Sequence, residues 1–102
     1  MPAYFVASYD VTDPEAYAKY SPGSIPTIMS TMTKHGGKLL AAGTENTWIA
    51  GERKTLVIME FPTVEAAQAW EADEEYAKVK PIRLGSTGNR VEVIAPGFVP
   101  PS

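Results

Sequence analysis

Two runs, Ala3-Tyr4-Phe5-Val6-Ala7-Ser8-Tyr9 and Lys54-Thr55-Leu56-Val57-Ile58-Met59-Glu60-Phe61-Pro62, carry the strongest hydrophobic patterning in the chain. Both are rich in β-branched, aromatic and other apolar residues, and a proline closes the second. An extended backbone sends Leu56, Ile58 and Glu60 to one face and Thr55, Val57, Met59 and Phe61 to the other. Both runs are apolar on both faces for most of their length, the pattern of strands in the middle of a sheet. Lys38 to Ala42 and Arg90 to Ala95 read as shorter strands. Gly43 to Asn46 reads as a bulge or turn, and Thr47 to Ala50 as resumed extended structure. Gly51-Glu52-Arg53 then turns the chain into an antiparallel pairing.

Helical spacing fills the gaps between strands. Thr12 with Glu15 has capping-box spacing, and Asp13 before Pro14 offers a second way to start the same helix. Ser21-Pro22-Gly23 interrupts it. Ser24 is placed to cap a segment whose Ile25, Ile28, Met29 and Met32 form one apolar stripe, ended by Gly36-Gly37. Thr63 caps a helix with Ala66, Ala67 and Trp70 on one face. Asp73 caps a further turn, Glu74 to Lys80, carrying Tyr76 and Val79, which Pro81 is expected to end or kink. The order strand, helix, strand, strand, helix, strand predicts an α+β ferredoxin-like sandwich, with helices on one face of a four-stranded antiparallel sheet. Residues 1–95 form the expected single domain, and 96–102 a proline-rich extended tail. Apolar side chains on both faces of the central strands predict a homodimer, since the face without helices needs a cover.

Composition narrows the function. A net charge of −3 on a chain of 102 residues argues against nucleic acid, whose phosphates demand a basic face. The absence of cysteine removes thiolate chemistry and disulfides, and one histidine argues against a His-rich metal site. No signal-peptide pattern or bilayer-length apolar run occurs, so no membrane association is expected and the cytoplasm is the default compartment.

The segments DVTDPEAYAKY (Asp10 to Tyr20), KHGGKLL (Lys34 to Leu40), LVIMEFPTVEAAQAW (Leu56 to Trp70) and EEYAKVKPIR (Glu74 to Arg83), in that order, resemble the bacterial family known as domain of unknown function 1330. The resemblance implies the dimeric α+β barrel superfamily, in which two ferredoxin-like sheets meet across a homodimer. That superfamily includes cofactor-free monooxygenases, small isomerases and haem enzymes. The family often has Arg-Gly-Gly where this chain has Ala41-Ala42-Gly43, so an anion-binding arginine there is absent.

Glu60 is the leading catalytic candidate: a carboxylate in an apolar row gains a raised pKa and becomes a useful acid or base. Its bland alternative is a rim carboxylate bonded to a tyrosine or paired with an arginine, and the partners it is expected to find are Arg83, His35 or a tyrosine hydroxyl. His35 is a weaker catalytic candidate; just before Gly36 it also suits a helix C-terminus. By family position Arg83 becomes an anion clamp, or else a structural partner of Glu60. Tyr9, Tyr17, Tyr20, Trp70 and Tyr76, with Trp48, can line a pocket with polar tips, or simply fill the core. Gly36-Gly37 follows a helix rather than preceding one and forms no phosphate loop. Two functions compete. One is a cofactor-independent enzyme, isomerase- or monooxygenase-like, that moves a proton on a small organic substrate. The other is a non-catalytic small-ligand-binding or stress-related dimer. Neither calls for a cofactor or metal, and haem binding through His35 is disfavoured by the adjoining diglycine.

Overall fold

A computed structural model describes residues 1–101; Ser102, the last residue of the expected tail, lies outside the described residues. Four strands, β1 (Ala3–Val11), β2 (Lys38–Gly43), β3 (Thr55–Phe61) and β4 (Thr87–Pro96), form one sheet in the order β2-β3-β1-β4. Every neighbouring pair is antiparallel. The two strands with the strongest apolar patterning therefore lie in the middle. Five helices complete the chain: α1 (Pro14–Tyr17), α2 (Ile25–Lys34), α3 (Val64–Glu71), α4 (Glu74–Ala77) and α5 (Lys80–Ser86).

The core lies between the helices and the face bearing Phe5, Ala7, Tyr9, Met59 and Phe61. Trp70 is its centre. Its ring meets Phe5 edge-on at 5.2 Å, stacks on Tyr76 at 4.2 Å, and its Nε1–H donates to Thr31 Oγ1 at 3.1 Å. The indole thus has its polar atom satisfied where no water reaches it. Ala67 lets α3 lie close to the sheet. Gly36 takes the left-handed backbone that ends α2, with φ 77°. A side chain at Gly37 would collide with Phe61 and Met32, so the α2–β2 connection also needs glycine for space.

The caps follow the sequence closely. Asp13 accepts from Ala16 N–H, Thr63 from Ala66 N–H, and Asp73 from the N–H groups of Glu75 and Tyr76. Ser24 differs: its hydroxyl donates back to the Lys19 carbonyl instead of capping α2.

Three expectations are corrected. Thr47 to Ala50 is not extended strand: Ile49 is 101% exposed, and β2 ends at Gly43 opposite Leu56, near the start of β3. Apolar letters without a partner strand do not make a ladder. Pro81 does not end a helix; it sits in the first turn of α5, where its missing N–H costs nothing. β4 begins at Thr87, not Arg90, because Thr87 and Gly88 pair with Val11 and Asp10 beyond an irregularity in β1. Asn89, with φ 51°, takes up the local bend. At the far end, Gly97 N–H donates to the Pro2 carbonyl, after which Phe98 and Val99 are exposed.

Candidate functional site

A cavity of about 360 Å³ lies between the helix-covered face of the sheet and α2. That volume is in the range of small-molecule sites. Its floor is Phe5, Ala7, Val57 and Met59, and its wall is Ile25, Ile28 and Met29 of α2. Leu39, Ala42, Gly43 and Thr44 border it where β2 bulges between Leu39 and Ala41. Tyr9, Tyr17, Tyr20, Trp70 and Arg83 also line it. The α2 stripe that looks like ordinary core is thus only partly core: Ile25 and Met29 stay substantially exposed at the cavity.

Arg83 is the exceptional residue. Its place in α5 buries it to 2% exposure. Nη1 donates to Glu92 Oε1 on β4, whereas Nη2 is buried with no hydrogen-bond partner among the described residues. The guanidinium carbon lies 5.9 Å from the Tyr9 ring centre and 6.0 Å from that of Tyr20. The tyrosines pair through their hydroxyls, Tyr9 with Tyr17 at 2.7 Å and Tyr20 with Tyr76 at 2.8 Å.

Burial fixes the protonation states. Desolvation, reinforced by the hydroxyl pairing, pushes Tyr9 and Tyr20 far above the ordinary phenol range; Arg83 opposes the rise without cancelling it. Tyr76 also moves up, chiefly by burial. Burial works against the charge of Arg83, but the Tyr76 and Tyr20 oxygens and Glu92 outweigh it, and its pKa lies above its usual value. The cavity therefore presents neutral phenols and a permanent cation. Among the described residues lining it there is no carboxylate, histidine or lysine. It is a set of hydrogen-bond donors with no proton acceptor suited to base catalysis at neutral pH.

The family profile described as Domain of unknown function (DUF1330) matches residues 2–97. The chain belongs to this family. Comparison with curated proteins finds no match. Among solved structures, a protein of unknown function from Rhodopseudomonas palustris is similar at TM-score 0.73 and 18% identity, covering 97% of this chain and 84% of that one. A protein from Nitrosomonas europaea, named by inference an antibiotic biosynthesis monooxygenase, is similar at TM-score 0.66 and 13% identity over 98% and 94% of the two chains. A dimeric protein of unknown function with a ferredoxin-like fold from Bacteroides fragilis is similar at 0.62 and 12%, over 91% and 93%. These likenesses establish a ferredoxin-like α+β fold shared with dimeric proteins.

In this DUF1330 protein the candidate residues divide among four places, Trp48 lying apart from the rest. Arg83, Tyr9, Tyr17, Tyr20 and Trp70 meet at the cavity, with Tyr76 behind Tyr20. Glu60 does not join them. It follows Leu56 and Ile58 onto the opposite face of the sheet, beside Tyr4, and its nearest cation is Lys38 at 3.7 Å. Of the partners expected for Glu60, Arg83 and His35 are engaged elsewhere, and so are the paired tyrosines Tyr9, Tyr17, Tyr20 and Tyr76. His35 Nε2 meets Asp73 Oδ2 at 2.7 Å, and Lys34 Nζ meets the same oxygen at 2.6 Å. This cluster ties the end of α2 to the start of α4. Lys34 first, then His35 and the α4 N–H groups, hold the Asp73 carboxyl well below the usual carboxylate range. Asp73, read from the sequence as a cap, is also an ion-pair hub.

Glu92, the partner of Arg83, escapes the sequence reading. It lies in a strand of alternating polar and apolar residues, where a carboxylate looks solvent-facing. The register supplies the signal: Ala7 pairs with Glu92, which puts Glu92 on the helix-covered face. Trp48 lines a second, polar hollow of about 400 Å³ with Asp10, Glu52, Arg53 and Lys54. Its Asp10 is already bonded by Lys54 N–H and the Asn89 side-chain amide. Among the described residues, no cluster of three or more His, Asp or Glu side chains is arranged to hold a metal, and no helix is long and apolar enough to cross a membrane.

Proposed function

We propose that this protein binds a compact, partly aromatic organic molecule in the cavity under α2, with Arg83 and the tyrosine hydroxyls donating to its oxygen atoms. The observation that carries this reading is the unpartnered Nη2 of a fully buried arginine at a largely apolar cavity. An unsatisfied buried donor costs about 1–3 kcal/mol, and a ligand oxygen would recover it. Catalysis by proton abstraction through Glu60 fits less well, because the sheet separates that carboxylate from the cavity. A cofactor-independent enzyme remains the second reading. The donor set favours it in one respect: neutral phenols and a guanidinium stabilise a developing oxyanion, provided the substrate brings its own acidity.

The test is a panel of mono- and bicyclic aromatic ketones, phenols and carboxylates, followed by amide and methyl NMR shifts. Shifts concentrated on Tyr20, Met29 and Trp70, and abolished by Ala42→Trp at the cavity rim, are expected. Shifts confined to other surfaces, or none at all, would overturn the reading.

We further propose that the protein acts as a homodimer through the uncovered sheet face. Val91 and Val93 there are 44% and 47% exposed, beside partly exposed Val6, Leu56 and Ile58. A contiguous apolar face of this kind marks an association surface. Sedimentation at micromolar concentration is expected to give twice the monomer mass; a monomer would refute it.

A further inference from the structure

The charge balance around Arg83 narrows the ligand class, given the cavity reading above. Arg83 is cationic, but Glu92 already holds its Nη1. The pair is formally neutral. What remains at the cavity is a spare donor rather than a spare charge. The residues lining the cavity supply no second cation among those described. A ligand carboxylate on Nη2 would put two carboxylates on one guanidinium and leave a net negative charge at a buried arginine, with Glu92 alone partly in water. That is the costly arrangement. A neutral carbonyl oxygen meets no such penalty and satisfies the same N–H. The hydroxyl pairs point the same way. In each pair one O–H is spent on its partner, leaving one hydrogen per pair for another acceptor. Arg83, Tyr9, Tyr17 and Tyr20 thus bring donor groups to the cavity lining without any accompanying net charge.

We propose that the cavity selects a neutral aromatic carbonyl compound over the matching carboxylate, and that Glu92 sets this preference by neutralising Arg83. Glu92 is a specificity-determining residue that acts through Arg83. The selection follows from electrostatics rather than shape. A methyl ketone and a carboxylate on the same ring system have nearly the same outline and the same carbonyl oxygen. They differ by one charge. Glu92→Gln keeps an acceptor for Nη1 and restores the net positive charge, so it should reverse the preference.

The matched probes are 2-acetonaphthone and 2-naphthoate, titrated by calorimetry at pH 7 and low salt into the parent protein and Glu92→Gln. The parent should bind the ketone at least tenfold more tightly, and Glu92→Gln should tighten the carboxylate at least tenfold with the ketone changed less than threefold. A parent that binds the carboxylate as tightly as the ketone overturns the inference and leaves the cavity reading standing. Binding of neither probe by the parent overturns the inference, and with no ligand found in the wider panel it overturns the cavity reading as well. Should Glu92→Gln fail to fold, the parent comparison still decides, with Tyr20→Phe as a second variant expected to weaken the ketone about threefold to tenfold. An unchanged ketone affinity in Tyr20→Phe would place the ketone away from the phenols and count against the inference.

Discussion

The two faces of the sheet are built from the same kinds of residue and end with different work. On the covered face, Phe5, Ala7, Tyr9, Met59 and Phe61 pack under the helices, and the polar groups among them are fully enclosed. On the open face, Tyr4, Val6, Leu56 and Ile58 are half-buried and Val91 and Val93 exposed, and the charged residues sit at the rim as the loose Glu60–Lys38 pair. Enclosure makes the difference. A guanidinium nitrogen left without a partner where water is excluded is costly, whereas a carboxylate 3.7 Å from an exposed lysine is an ordinary surface pair. A polar residue amid apolar neighbours is therefore not a site by virtue of sequence context alone; the layer above it decides.

The comparison breaks most sharply at the centre of the covered face. Trp70→Ala removes the ring on which Phe5 and Tyr76 pack and leaves Thr31 without its indole partner. The expected loss is about 3–5 kcal/mol, much of the stability of a domain this size, read from urea midpoints. A loss under about 1 kcal/mol would mean that the core is centred elsewhere.

On the open face the effect should fall on association instead. Val93→Glu is expected to weaken the proposed dimer by on the order of 100-fold, about 2.7 kcal/mol, while far-ultraviolet circular dichroism of the monomer is unchanged. Dimerisation with parental affinity would place the interface on another surface.

The Asp73 hub sharpens the comparison through pH. Its carboxyl titrates below the usual range in the folded protein. A depressed native pKa means that its contribution is complete above the unfolded carboxylate value of about 4, and is lost as pH falls below that toward the native pKa. Asp73→Asn should therefore be less stable than the parent above about pH 4 and approach it on further acidification. Urea midpoints between about pH 2 and 6 measure this. A constant gap down to the lowest pH would deny the ion pairs with Lys34 and His35 their role.

Glu60→Gln is the smallest change. The Lys38 partner is exposed and distant, so stability should shift by no more than about 0.5 kcal/mol, and ketone binding should be untouched. A large loss of ligand binding with the melting temperature preserved would return Glu60 to the centre of the argument.

Much of this architecture is legible in the residues themselves. Runs that are apolar on both faces set the two central strands, Asp13, Thr63 and Asp73 mark helix starts, and Gly36-Gly37 marks an end, because these signals act within a few residues of chain. The same locality explains the misreadings. Thr47 to Ala50 has the letters of a strand but no neighbour to bond, and Pro81 breaks a helix or begins one depending on which side the chain turns. Alternation also sorts residues into two faces without saying which one the helices cover. That choice follows from the hand of the connections from β1 to β2 and from β3 to β4, a property of the whole sheet. It places Glu60 on the open face and Glu92 on the helix-covered one. The Arg83–Glu92 and Asp73–His35 pairs join positions 9 and 38 residues apart in the chain. The sequence alone determined the kinds of element and their order; tertiary packing decided which charges met, because charge pairing is a matter of distance and dielectric in the folded state.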